Sequence, residues 1–91
     1  MPPPLTPRQA AILDYAIGRI LERGWYPPAS EIAAALDCSA STVYVDCQIL
    51  KALGYGRKRP YGAPVFEPIR RPDGSPFEAP RPVRRLAGAI A

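Results

Sequence analysis

Two hydrophobic periods succeed one another along the chain. From residue 12 to residue 21 the apolar positions fall at helical spacing, as Ile12/Ala16/Ile20 and Leu13/Ile17/Leu21, while Arg8, Asp14, Arg19, Glu22 and Arg23 fall elsewhere. The preceding Thr6-Pro7-Arg8-Gln9 reads as a helix start. Thr6 suits the cap, Pro7 the first helical position and Gln9 the reciprocal position of a capping box, with Leu5 and Ala10 spaced for a hydrophobic staple. Gly24 supplies a stop.

Trp25-Tyr26-Pro27-Pro28 cannot continue a helix and reads as a rigid connector, its two aromatic rings expected to cover the core. A short helix is expected over 30–36, with Ile32, Ala33 and Leu36 inward, followed by a turn at Asp37-Cys38. Ser39 is a suitable N-cap for a third helix over 39–53, whose buried face would carry Val43, Cys47, Leu50 and Leu53 before Gly54 closes it.

Beyond Gly54 the period changes. Tyr55 to Arg59 and Val65 to Ile69 read as two strands around the turn Pro60-Tyr61-Gly62-Ala63. Prolines then recur every four residues from 60 to 80. Residues an even number apart in a strand direct their N–H groups to the same side, so Pro64 and Pro68 would leave the opposite edge free to pair. Residues 70–82 read as an extended arm with a turn at Pro72-Asp73-Gly74-Ser75. A short helix after Pro82 would place Val83, Leu86, Ala87 and Ile90 on one face, and alone it would be marginal.

The expected architecture is therefore mainly α with a small β-hairpin. It is a three-helix winged helix-turn-helix over 5–69, followed by a proline-rich arm over 70–91 that ends in a short helix. The opening Leu5-Thr6-Pro7-Arg8-Gln9, the Pro27-Pro28 pair leading to Glu31-Ile32-Ala33, and Ser41-Thr42-Val43 eleven residues before Gly54 together resemble the N-terminal DNA-binding domain of LexA-type repressors. They also resemble short phage and bacterial regulators built on that domain. The resemblance implies a DNA reader, and it spans roughly residues 5–69. Two positions depart from the pattern: Asp37 stands where the turn glycine is usual, and Asp46 where an apolar residue is usual. The self-cleaving Ser/Lys peptidase domain of full-length LexA proteins has no counterpart here, so no cleavage-driven derepression is expected.

Composition narrows the class. Ninety-one residues, 47% of them hydrophobic, suit one small domain that buries about 60% of its unfolded surface. Net charge is +4 and unevenly placed. Residues 1–53 hold Arg8, Arg19, Arg23 and Lys51 against Asp14, Glu22, Glu31, Asp37 and Asp46, whereas residues 54–91 hold eight basic residues against Glu67, Asp73 and Glu78. A basic second half favours an anionic partner. Met1 leads directly into three prolines and the longest apolar run is Ile32 to Leu36, so neither a secretory leader nor a membrane span is expected, and the cytoplasm is the expected setting. With two cysteines and no histidine, no metal site or disulfide framework is expected. Cys38 and Cys47 read as small buried apolar residues. No histidine, phosphate-binding glycine loop or acid/base carboxylate pair suggests catalysis, so neither an enzyme nor a cofactor is expected.

The candidate chemistry is recognition of double-stranded DNA. Outward positions of the third helix would include Ala40, Ser41, Thr42, Tyr44, Val45 and Gln48, with Ser39 at its cap. Gln48 is suited to adenine, Ser41 and Thr42 to bases or phosphates, and Tyr44 to a phosphate or a thymine methyl. Arg57, Lys58 and Arg59 on the first hairpin strand, with Tyr61 at its tip, would supply sequence-independent attraction to the backbone. The same basic run also fits a solvated strand edge guarded against aggregation, and Gln48 and Tyr44 also fit ordinary surface positions.

A homodimer is expected because one such domain covers little DNA, with Val83, Leu86 and Ile90 as its expected contact stripe. The expected role is a sequence-specific regulator acting as a repressor. The alternative is a protein-interaction module on the same scaffold, favoured by an uncharged third helix that carries Asp46.

Overall fold

The computed structural model describes residues 4–24, 27–57 and 67–78. Helix α1 spans Pro7–Arg23, α2 Ala29–Leu36 and α3 Ala40–Ala52. Strand β1, Gly56–Arg57, pairs antiparallel with β2, Glu67–Pro68. The chain is thus mainly helical with a small two-stranded antiparallel hairpin, the fold class its periodicity predicts.

The start of α1 forms as its side chains require. The Gln9 N–H donates to Thr6 Oγ1 and the Thr6 N–H donates to Gln9 Oε1, each at 3.1 Å, so two donors at the helix end are satisfied reciprocally. Gly24 takes a left-handed conformation (φ 81°) and its N–H donates to the Ile20 carbonyl at 2.8 Å. The buried stripe holds Gln9, Ile12, Leu13, Ala16, Ile17 and Ile20. Leu21 was expected on that stripe and is instead half exposed. Each i+4 step advances about 40° around a helix, so from Leu13 through Ile17 to Leu21 the row rolls off the contact.

Helix α2 begins one residue earlier than its spacing predicts, at Ala29. The Pro28 carbonyl accepts from the N–H groups of Glu31 and Ile32 at 3.1 and 3.2 Å, and no side chain caps the end. The turn between α2 and α3 does without glycine. Asp37 occupies the left-handed region (φ 58°), which a short polar side chain tolerates, and Cys38 N–H reaches back to the Ala33 carbonyl at 3.0 Å. Ser39 then caps α3, its Oγ accepting from Thr42 N–H at 3.1 Å.

Ile12, Leu13, Ile32, Val43 and Leu50 are fully buried where the three helices meet. Cys47 and Tyr55 close the same core, and Leu53, expected inside, is partly buried against it. Trp25 and Tyr26, expected to cover this core, lie outside the described residues. A polar cluster ties α1 to α2 at the rim. Tyr15 OH donates to Glu31 Oε2 at 2.7 Å, and Arg23 Nη2 donates to both Glu31 oxygens at 3.1 and 2.8 Å.

The hairpin obeys the proline spacing. Ile69 N–H donates to the Tyr55 carbonyl at 2.9 Å, which makes 55 and 69 a hydrogen-bonded pair. Such pairs alternate along an antiparallel ladder, so Pro68, opposite Gly56, directs its donorless nitrogen away from β1. Pro64 and the turn at 60–63 lie outside the described residues.

The extended arm expected after residue 69 is corrected over its first part. Residues 69–77 double back: Arg71 N–H donates to Ser75 O at 2.8 Å, Phe77 N–H donates to Ile69 O at 3.0 Å, and Arg70 faces Pro76 across a bridge. Gly74 N–H closes the Pro72-Asp73 turn on the Arg71 carbonyl at 2.8 Å, with Gly74 itself left-handed (φ 92°), the three-residue hairpin loop with a glycine bulge. Asp73 Oδ1 accepts from Ser75 N–H and Oγ, and these bonds hold its carboxyl below the usual carboxylate range. This return places Phe77 in the hydrophobic core, so the packed unit runs past the boundary expected at residue 69.

Two outcomes test this packing. Phe77→Ala is expected to lower unfolding free energy by about 3 kcal/mol in urea titration. A loss within about 0.5 kcal/mol, the usual surface effect, would mean that residues 69–77 do not close the core. For Glu31, burial pushes the carboxyl up, but the bonds from Tyr15 and Arg23 outweigh it and hold the pKa below its ordinary 4.5. A depressed folded-state pKa contributes stability above the unfolded value that is lost as pH falls through the folded one. Stability is therefore expected to decline below about pH 4.5, and Glu31→Gln to flatten that decline in acid-unfolding curves.

Candidate nucleic-acid interface

Helix α3 turns one uncharged face to solvent. Ser39, Ser41 and Gln48 are exposed, Thr42 is half-buried, and Tyr44 and Val45 stand out with 52% and 58% of their surfaces accessible. Ile49 joins this face, a residue that the outward set read from the sequence does not include. Ser39 Oγ also donates to Thr42 Oγ1 at 3.0 Å, so the Thr42 hydroxyl is oriented by the same residue that caps the helix.

Asp46 is elsewhere. It is the one acidic residue on α3, and it lies 2% exposed on the inner side with Val43, Cys47 and Leu50. Arg8 Nε, on the first turn of α1, donates to its Oδ2. A buried carboxylate needs such a partner, because an unpaired charge taken out of water is costly. This hydrogen bond and the Asp46 charge raise the Arg8 pKa, so the guanidinium stays cationic. Asp46 therefore gives no support to the protein-interaction reading, for which it served as an acid on the third helix.

The Arg8 side chain, 56% exposed, borders an open depression with Ser41, Thr42 and Val45. The reading of candidate site residues from the sequence did not include Arg8. The signal was present nonetheless: Asp46 is a carboxylate in the register of a buried face, and a carboxylate there demands a cation from another element.

On the hairpin, Arg57 is exposed and its Nη2 donates to Glu67 Oε2 at 2.9 Å across the paired strands. The arginine side chain of this pair is 64% exposed and the glutamate side chain 27%. Lys58, Arg59 and Tyr61, and the stripe of Val83, Leu86 and Ile90, lie outside the described residues.

Among the described residues, no group of Cys, Asp or Glu side chains is arranged to hold a metal ion, and no helix is long and apolar enough to cross a membrane. Both cysteines are free thiols. Cys47 is buried, and that burial pushes its pKa up to about 12. Cys38, expected to be buried, is only partly so. No family model matches the chain, nor does any curated protein or solved structure compared with it.

The thiols give a readout of native packing. At pH 8 iodoacetamide is expected to modify Cys38 in the folded protein and to reach Cys47 only after denaturation, as read by peptide mass mapping. Comparable modification of both under native conditions would contradict the burial of Cys47 on the inner side of α3.

Proposed function

We propose that this protein is a double-stranded DNA-binding transcriptional regulator that reads the major groove with the exposed face of α3 and follows the phosphate backbone with the hairpin. The observation that carries the reading is the burial of Asp46 against Arg8, which removes the helix's one carboxylate from the face that would meet DNA. What remains outward is Ser41, Tyr44, Val45, Gln48 and Ile49, a set with hydrogen-bonding and methyl-contacting groups and no like charge to repel phosphate. The order of helices and hairpin, and the resemblance to LexA-type DNA-binding domains, support the same reading.

The chemistry of the face indicates which bases it prefers. The commonest specific contact to guanine is a bidentate Arg or Lys, and α3 offers neither before its last turn, where Lys51 is half-buried. Gln48 matches the N6/N7 edge of adenine, and Val45, Ile49 and the Tyr44 ring match the thymine methyl. A·T pairs are therefore favoured under α3. One domain of this kind covers about 600–1,000 Å² on DNA, so we assign a dimer on an inverted repeat. Repression follows from occupancy of such a site.

A second reading, a module that binds another protein, is favoured by the exposure of Tyr44, Val45 and Ile49 on one helix. One experiment separates the two: selection from a randomised duplex pool by the purified chain at near-physiological salt, followed by sequencing. The expected result is an inverted repeat with A·T pairs in each half-site. Gln48→Ala should relax the preference at one base pair and cost about 1–3 kcal/mol on the preferred site. No enrichment, with weak salt-sensitive retention alone, would overturn the DNA reading in favour of the protein-binding one.

A further inference from the structure

We infer that Arg8, on α1, is a phosphate-contacting residue of the α3 interface and that buried Asp46 is the residue that positions it. This inference rests on the DNA-binding reading and adds to it a second helix, a named contact and a device that holds the contact in place.

The geometry is that of a cation presented at a surface by an anion beneath it. Arg8 Nε is engaged by Asp46 Oδ2, and among the described residues no hydrogen bond is made by its two Nη nitrogens. The carboxylate is almost wholly covered, while more than half of the Arg8 side chain meets solvent. An incoming phosphate would therefore meet the Nη donors at contact distance and the carboxylate only from farther away. The depression that Arg8 lines with Ser41, Thr42 and Val45 has a volume of about 210 Å³, room for one phosphate group. Its rim combines a guanidinium with the Ser41 and Thr42 hydroxyls, donors suited to phosphate oxygens.

Charge placement gives the contact its purpose. No Lys or Arg occurs between Asp37 and Leu50, so the start of α3 has no cation of its own. Arg8 is brought there from 38 positions away in the chain. An unanchored arginine would lose considerable side-chain freedom on binding, whereas one fixed through Nε has already lost part of it in the folded state. The Asp46 departure thereby acquires a reason: it is a polar residue in the core that holds a guanidinium at the surface.

The test is duplex binding measured against salt concentration, on the selected site and on an unrelated duplex, with folding checked by circular dichroism and thermal melting. Arg8→Gln alone leaves Asp46 buried without a partner and can unfold the chain. The decisive variant is therefore Arg8→Met with Asp46→Leu, since replacing both members of a buried pair by apolar residues is often neutral or stabilising. If the folded double variant binds both duplexes more weakly by the same factor, and its slope of log affinity against log salt is shallower by about 0.9, one phosphate contact has been lost as proposed. If it keeps the parent's affinity and slope, the pair is structural only and the inference is wrong, while the DNA reading stands.

Asp46→Leu alone tests the positioning half. It raises net charge by one, so an Asp46 that merely repels DNA predicts tighter binding. A positioning Asp46 predicts weaker binding, and tighter binding would overturn that role. If the parent chain shows no salt-dependent duplex binding at all, the proposed function fails and the Arg8 assignment falls with it.

Discussion

A charged carboxylate inside a domain this small must be neutralised in place, and that requirement organises the contact between the first and third helices. Asp46 occupies the inner side of α3 with Val43, Cys47 and Leu50, and its partner comes from the first turn of α1. The pair agrees with the apolar side chains about which side of α3 faces inward. Val43, Cys47 and Leu50 bury that side, and Asp46 finds its cation there. The exposed face is left without a carboxylate as a result.

The rest of the core is economical in the way a short chain demands. Three helices contribute branched aliphatic side chains at their mutual contact, and the volume left open below α3 is filled by Tyr55 and Phe77 from outside the helices. Phe77 reaches that place because residues 69–77 reverse direction around Pro72-Asp73-Gly74, and Arg71 lies over its ring at 5.2 Å. The prolines that seem hostile to a sheet are compatible with it, since Pro68 and Pro76 both stand at ladder positions whose nitrogen is not asked to donate.

The polar clusters divide the labour between architecture and surface. Tyr15, Arg23 and Glu31 hold α1 and α2 together at the rim, where the carboxylate at the first turn of α2 also complements the positive end of that helix. Arg8 and Asp46 do the corresponding task between α1 and α3, and leave a cation at the edge of the proposed interface. Arg57 and Glu67 pair across the hairpin, the arginine side chain largely exposed and the glutamate half-buried.

Local signals determined much of this protein. Thr6-Pro7-Arg8-Gln9, Gly24, Ser39 and the turn at 72–75 mark where elements begin, end and reverse. They act through hydrogen bonds between neighbours in the chain and so are legible in order of sequence. The apolar periods located the three helices and most of the residues they bury. Tertiary structure alone decided what depends on meeting a distant element. Leu21 lies in the helical pattern but beyond the width of the contact. Phe77 looked like part of an arm until a core with room for it was present. Asp46 read as an acid where an apolar residue is usual, and Arg8 as a charge off the apolar face of the first helix. Only the packing of α1 against α3 joins the two, because the energy of a buried charge depends on what surrounds it in space and not on what flanks it in the chain.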